Sequence, residues 1–214
     1  YDEIVSRMHY KDVRPYLGNY MKKIGLNTCV YCNNTKATVS VDRQEVYYPF
    51  DHSKPKDKYP FLCISFFNLY PCCTNCNGHK LNDVNKAFQI YVEKEPLRDP
   101  FVFEIERKRI VDGDPKSIQV GFGSHDAADS TLANDYNKSY RITEFYNSDD
   151  EKRNSYKMLK DIEKYRASYP DATEASLAIK INRQELFQEI LGVDDDEANI
   201  FTDVNKKLKL DTAK

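Results

Sequence analysis

Apolar residues at Ile4, Val5, Met8, Val13, Leu17, Met21 and Ile24 recur at loosely helical spacing. They predict one or two helices over Asp2 to Ile24, broken near Pro15 and Gly18. The period then changes. Glu45 to Phe50 reads as a short strand that delivers Asp51-His52 at its end, followed by a polar loop with Pro55 and Pro60 and an apolar run from Phe61 to Leu69. A helix is expected from Asn77 to about Val92. Phe101, Phe103 and Ile105 alternate with polar residues, Asp112-Gly113 supplies a turn, and Ile118, Val120 and Phe122 alternate again. That is the pattern of two half-buried strands. Gly121 to Asn134 is small and polar and reads as a loop. Ser148-x-x-Glu151 has capping-box spacing and opens a helix with an apolar stripe of Tyr156, Leu159, Ile162 and Tyr169, ended by Pro170. A further helix is expected from Thr173 to Leu191, stopping at Gly192 before the acidic run Asp194 to Glu197. The fold class is therefore α+β. Three regions follow from the pattern: an N-terminal helical segment (1–28), a compact core (29–96), and a hairpin with a helical C-terminal region (97–214).

Composition narrows the class. Charged residues make up 31% of the 214, and mean hydropathy is −0.73. No apolar run approaches the roughly 20 residues of a membrane span, and no secretory signal is visible. A net charge of −2 does not mark a nucleic-acid binder. Local charge says slightly more, since six Lys stand against four Asp or Glu between Asp51 and Lys94, with Lys54, Lys56 and Lys58 grouped just after the Asp-His pair. By itself such a group reads as a solvated loop. The 16 tyrosines could stack on nucleic acid, but tyrosines in a helical stripe are more simply core residues with a polar tip.

The cysteines change the picture. Cys29-x-x-Cys32 and Cys73-x-x-Cys76 supply the four soft ligands of a tetrahedral structural Zn²⁺, and two cysteines in one tight turn reach a common ion more easily than each other. Cys72 adjoins Cys73, so Cys72-x-x-x-Cys76 competes for the second pair, although the two-residue spacer favours Cys73. Cys63, in the apolar run, reads as a small buried residue.

Set between the cysteine pairs are residues of another kind. Hydrolysis of a phosphodiester needs an activated water, neutralisation of the phosphate and stabilisation of the departing oxygen. His52, with an ordinary pKa near 6.5, can take a proton from water at neutral pH. Asp51 and the side-chain carbonyl of Asn77 offer the oxygen ligands that Mg²⁺ or Mn²⁺ prefers. His9 and His125 lie in segments without ligand spacing, whereas His79, two residues after Asn77, competes with it.

The order Asp51-His52, Asn68-Leu69, Pro71, Cys73-x-x-Cys76-Asn77 and Lys80 resembles the HNH endonuclease motif over Cys29 to Lys80. That resemblance implies a ββα-metal core, stapled in its cysteine-bearing branch by zinc. It implies that His52 is the general base, that Asn68 hydrogen-bonds across the loop, that Asn77 ligates a catalytic Mg²⁺ or Mn²⁺, and that Asp51 shares that metal. His79 and Lys80 are additional candidates, and the Asn-Gly-His-Lys ending leaves both Asn77 and His79 open as ligand. More loosely, Tyr59-Pro60, Ile64 to Leu69, the later hairpin and Tyr146-Asn147 before a long helix resemble HNH effector subunits of bacterial anti-phage systems of the Septu and retron type. This implies a cytoplasmic bacterial protein acting on DNA, double-stranded by expectation, with an ATPase or other defence subunit as partner. A rival class, a zinc-knuckle module that binds without catalysis, needs the same staple but gives Asp51, His52 and Asn77 no role.

Overall fold

The computed structural model describes residues 2–23, 25–38, 46–80, 100–106, 113–168, 188, 191–193 and 205–213. They fall into two compact units of mixed α+β character. The first holds the described residues up to position 80 together with Lys138–Tyr140; the second holds Pro100–Asn137 and those from Arg141 onward.

In the first unit, α1 (Asp2–Arg7) and α2 (Tyr10–Lys23) are separated at Met8-His9. The expected break at Pro15 and Gly18 is corrected: the interruption falls at Met8-His9, where His9 takes φ +50°, and α2 runs through both residues. A proline removes only its own donor and crowds one carbonyl, and burial of Leu17 and Gly18 on the core side of α2 outweighs that local cost. Strand β1 (Phe50–His52) pairs antiparallel with β2 (Leu69–Pro71) in the register Phe50↔Pro71, Asp51↔Tyr70, His52↔Leu69. The strand therefore lies later than the Glu45 to Phe50 expectation, and Asp51 and His52 belong to it rather than following it. Ladder partners decide this: Phe50 to His52 face β2, while Tyr47 bonds back to Thr38. Helix α3 (Thr74–Lys80) follows β2 and begins three residues before the expected Asn77 start, because Cys73 caps it, its sulfur accepting from the Cys76 amide at 3.4 Å. Residues 81–92 of that expected helix lie outside the described residues.

The second unit is built on the antiparallel pair β3 (Phe101–Ile105) and β4 (Val120–Ser124), as the alternation predicts. Phe101, Phe103 and Val120 are buried, and α7 (Lys206–Ala213) lies against β3, with the Asp211 carboxylate accepting from the Phe103 amide at 2.8 Å. The loop expected over Gly121 to Asn134 is corrected. Ser130–Tyr140 is helix α4, whose Ala133, Tyr136 and Tyr140 form a buried stripe at helical spacing that the small polar residues around them obscure. Helix α5 (Ile142–Tyr146) ends at Asn147, whose amide bonds to both the N–H and the C=O of Val120 and so extends the edge of β4 like a further strand residue. Helix α6 (Asp149–Ser168) starts at the expected cap: the Ser148 hydroxyl accepts from the Glu151 amide at 3.4 Å. Glu151 does not return the bond; its carboxylate accepts from Asn205 instead. Leu159 and Ile162 are buried as the stripe requires. Tyr169, Pro170, the bulk of the Thr173 to Leu191 helix and the acidic run lie outside the described residues, while Gly192 has the left-handed φ of +62° that suits a helix stop.

Candidate functional site

The first cysteine pair sits in a tight reversal. The Thr28↔Lys36 bridge closes it, the Cys29 amide donates to Thr35, and Asn33 takes φ +51°, a conformation Asn tolerates well. The second pair straddles the start of α3. Sulfurs of Cys29, Cys32, Cys73 and Cys76, all buried, lie within 4.8 Å of one another. A tetrahedral zinc with bonds of about 2.3 Å has sulfur–sulfur edges of about 3.8 Å, so a small contraction closes the shell. Hydrogen bonds from neighbouring thiols, Cys29 first, hold the Cys32 and Cys73 thiols below the usual range; burial pushes Cys29 up, and its thiol neighbours push Cys76 up. Four buried sulfurs brought this close could together hold a metal ion. Cys72 is not part of it. Its thiol points to the Pro49 carbonyl, and burial raises its pKa. Cys63 is fully buried and separate from the cluster.

Against this cluster lies the unit made by β1, β2 and α3. Successive strand residues face opposite ways, so Asp51 and His52 meet different surroundings. Asp51 is buried and turned toward α3. Its Oδ2 accepts from the Lys80 ammonium at 2.7 Å and from the Tyr31 hydroxyl. Lys80, also buried, donates in addition to the His52 carbonyl at 2.8 Å, tying the end of α3 to β1 twice. Tyr31 lies between Cys29 and Cys32 and stacks on Tyr140 at 4.5 Å. Burial, then the Asp51 charge, raises its pKa well above 10, so its hydroxyl remains a donor.

His52 faces the β1–β2 loop. Its Nε2 lies 2.9 Å from the Cys63 carbonyl, and a carbonyl can only accept, so Nε2 carries the proton and Nδ1 keeps its lone pair. Burial lowers its pKa below 6.5, outweighing the Cys63 carbonyl and the Asp51 charge, which act the other way. The Tyr10 ring packs beside the imidazole at 5.2 Å. Asn68 is buried, and its amide clasps the loop: Oδ1 accepts from the Lys54 amide at 2.7 Å, and Nδ2 donates to the carbonyls of Lys54 and Leu62 at 3.1 Å each. Asn77 and His79 are half-buried on α3.

The sequence reading missed Tyr31 and Tyr10. A tyrosine inside a Cys-x-x-Cys is visible in the chain, but its aim at Asp51 depends on how the reversal packs against β1. Lys80 was in the motif without a contact to explain it.

A helix-stapled pair of short strands beside four thiols is thus the class of site present. Over 89 residues the chain is 34% identical to the Septu protein PtuB of Bacillus thuringiensis. The matched stretch covers 42% of this chain and 30% of that relative. No family model and no solved structure matches the chain. Among the described residues, no helix is long and apolar enough to cross a membrane.

Proposed function

We propose that this chain is a metal-dependent HNH endonuclease that hydrolyses DNA phosphodiester bonds, serving as the effector of a Septu-type anti-phage system in the bacterial cytoplasm. The supporting observation is the tautomer of His52. Its Nε2–H is committed to a backbone carbonyl, so Nδ1 is a neutral base at physiological pH, held by a loop that Asn68 braces. The ββα-metal reading draws on the order β1, β2, α3 and on the motif residues each carries. The similarity to PtuB supports the defence role and an ATPase or other system subunit as partner.

In this reading the four-thiol cluster holds structural Zn²⁺ and fixes the first reversal to α3. Asn77 precedes Lys80 by three residues, so the two share a helix face, and Lys80 touches Asp51. That placement favours Asp51 Oδ1 and the Asn77 carbonyl over His79 as ligands for Mg²⁺ or Mn²⁺. Two protein oxygens suit Mg²⁺, which keeps several of its waters. The bound cation supplies neutralisation of phosphate charge. His52 Nδ1 takes a proton from water as the water oxygen bonds to phosphorus and the bond to the 3′ oxygen breaks. The departing oxygen is protonated from solvent, leaving 5′-phosphate and 3′-hydroxyl ends.

The test is conversion of supercoiled plasmid to nicked or linear form with and without Mg²⁺ or Mn²⁺, beside His52→Ala. Metal-dependent cleavage by the wild type and none by the variant is expected. A folded, zinc-loaded protein that binds DNA and never cuts it, alone or with its partner subunit, would establish the binding-module reading instead.

A further inference from the structure

The loop between β1 and β2 carries an apolar surface for which hydrolysis alone has no use. Among the described residues, the exposed large hydrophobic side chains include Tyr59, Phe61, Leu62, Phe66 and Phe67, five within nine positions, with Phe61 and Phe67 exposed by 71% and 70%. Single exposed apolar residues are ordinary; a contiguous set marks a binding surface. The loop is not a slack segment. Asn68 clasps it from Lys54 to Leu62, short turns at Pro60–Leu62 and Phe66–Asn68 shape it, and Tyr20 of α2 stacks on Phe66 at 5.0 Å. The rings are held out on a braced support.

Two features say what covers them. Lys54, Lys56 and Lys58 precede the rings against one acid, Asp57; Lys56 and Lys58 are exposed, and the Lys54 ammonium lies 5.8 Å over the Tyr59 ring. Ammonium groups beside exposed aromatic rings are what a nucleic-acid strand with unstacked bases requires, because phosphate takes the charge and each base offers a π-face. Position gives the second. The Cys63 carbonyl that holds His52 belongs to this same loop, between Leu62 and Ile64, with Cys63 itself buried. The loop that bears the rings thus also fixes the imidazole, which ties binding along it to the hydrolytic reading of His52. Paired bases in a duplex present no faces to stack on.

We infer that the β1–β2 loop is a platform for unpaired nucleotides: Phe61 and Phe67 stack on bases flanking the phosphodiester set before His52, and Lys56 and Lys58 contact the neighbouring phosphates. Its placement next to a reacting bond rests on the hydrolytic reading, whereas the binding does not.

The experiment is fluorescence anisotropy of the full chain, without added divalent cation, on one labelled oligonucleotide as a single strand, as a perfect duplex and as a duplex with an internal bulge. Wild type should prefer the single strand and the bulge. The double substitution Phe61→Ala, Phe67→Ala should weaken both by about tenfold or more while changing duplex binding little. Phe61→Leu with Phe67→Leu should lose as much, since that double variant keeps apolar area without an aromatic face. Lys56→Ala with Lys58→Ala should weaken every arm and flatten the salt dependence. Zinc content and circular dichroism of the variants should match wild type. Equal binding of all three forms by the wild type, or single-strand binding unaffected by loss of the rings, overturns the platform. So does loss of self-association or of partner-subunit binding in the ring variants with nucleic-acid binding intact. Ring-dependent single-strand binding by a chain that never cleaves upholds the platform and overturns the hydrolytic reading.

Discussion

The ammonium of Lys80 lies 2.7 Å from the carboxylate of Asp51, with 1% and 8% of the two side chains exposed. Removing one partner of such a pair strands the other charge away from water, at a cost of about 3–5 kcal/mol. Lys80→Met should lose that much stability in urea unfolding, with the Asp51→Asn, Lys80→Met double variant recovering a large part of it. A Lys80→Met protein as stable as wild type would show that the pair does not hold α3 to β1. Tyr31→Phe removes a bond to the same carboxylate without removing a charge and should cost less.

The cysteines make a second expectation. One tightly held zinc per chain should appear in elemental analysis, and Cys29→Ser or Cys76→Ser should lose both the metal and the fold, because structural zinc contributes folding free energy directly. Cys72→Ser should keep its zinc, since that thiol points at Pro49 and away from the cluster. Zinc lost from Cys72→Ser and retained in Cys73→Ser would reverse the ligand assignment.

Much of this centre was readable in the chain because its signals are local. A two-residue spacer brings Cys29 to Cys32 and Cys73 to Cys76 whatever the rest of the fold does, and the alternation at Phe101 to Ile105 and Ile118 to Phe122 is the pleat itself. Reading was poorer where packing overrode local preference. Helix α2 continues through Pro15 because Leu17 and Gly18 are buried, and α4 forms from a segment whose few apolar positions matter more than its polar majority. The strand holding Asp51 and His52 is defined by the partners Tyr70 and Leu69, far along the chain, so its limits could not be read from its own residues. The same is true of the Tyr31, Lys80 and Asp51 contact, which joins three separate segments.

The pH dependence follows from His52. Burial sets its folded pKa below 6.5, so between that pKa and 6.5 the unfolded chain binds the extra proton and the folded one does not. Its contribution to stability is therefore complete above pH 6.5 and is lost as pH falls through the folded pKa. For cleavage, kcat/KM at saturating Mg²⁺ should rise with pH and level off with an apparent pKa below 6.5, because only neutral imidazole accepts the proton. His52→Ala should abolish cleavage while zinc content and DNA affinity stay near wild type, a loss in rate rather than in ground-state binding. An unchanged acid limb in a still active His52→Ala variant would place the base elsewhere.

The remaining choice lies on α3, between Asn77 and His79. Residues two apart on a helix point roughly 200° away from each other, so the two cannot both face Asp51. Lys80 does reach Asp51, and Asn77, three residues earlier, shares its side of the helix. Asn77→Ala should therefore raise the Mg²⁺ concentration needed for half-maximal cleavage by tenfold or more on the order of what a lost ligand costs, or eliminate activity, since one carboxylate oxygen alone fixes a hard cation poorly. His79→Ala should shift the titration little. Neither change touches the four-thiol cluster, so zinc content should stay at wild-type level in both, which separates loss of the catalytic cation from loss of the staple. A dead His79→Ala beside a nearly normal Asn77→Ala would exchange the two residues as ligand, and would mean that α3 is rotated from the orientation in which Lys80 meets Asp51.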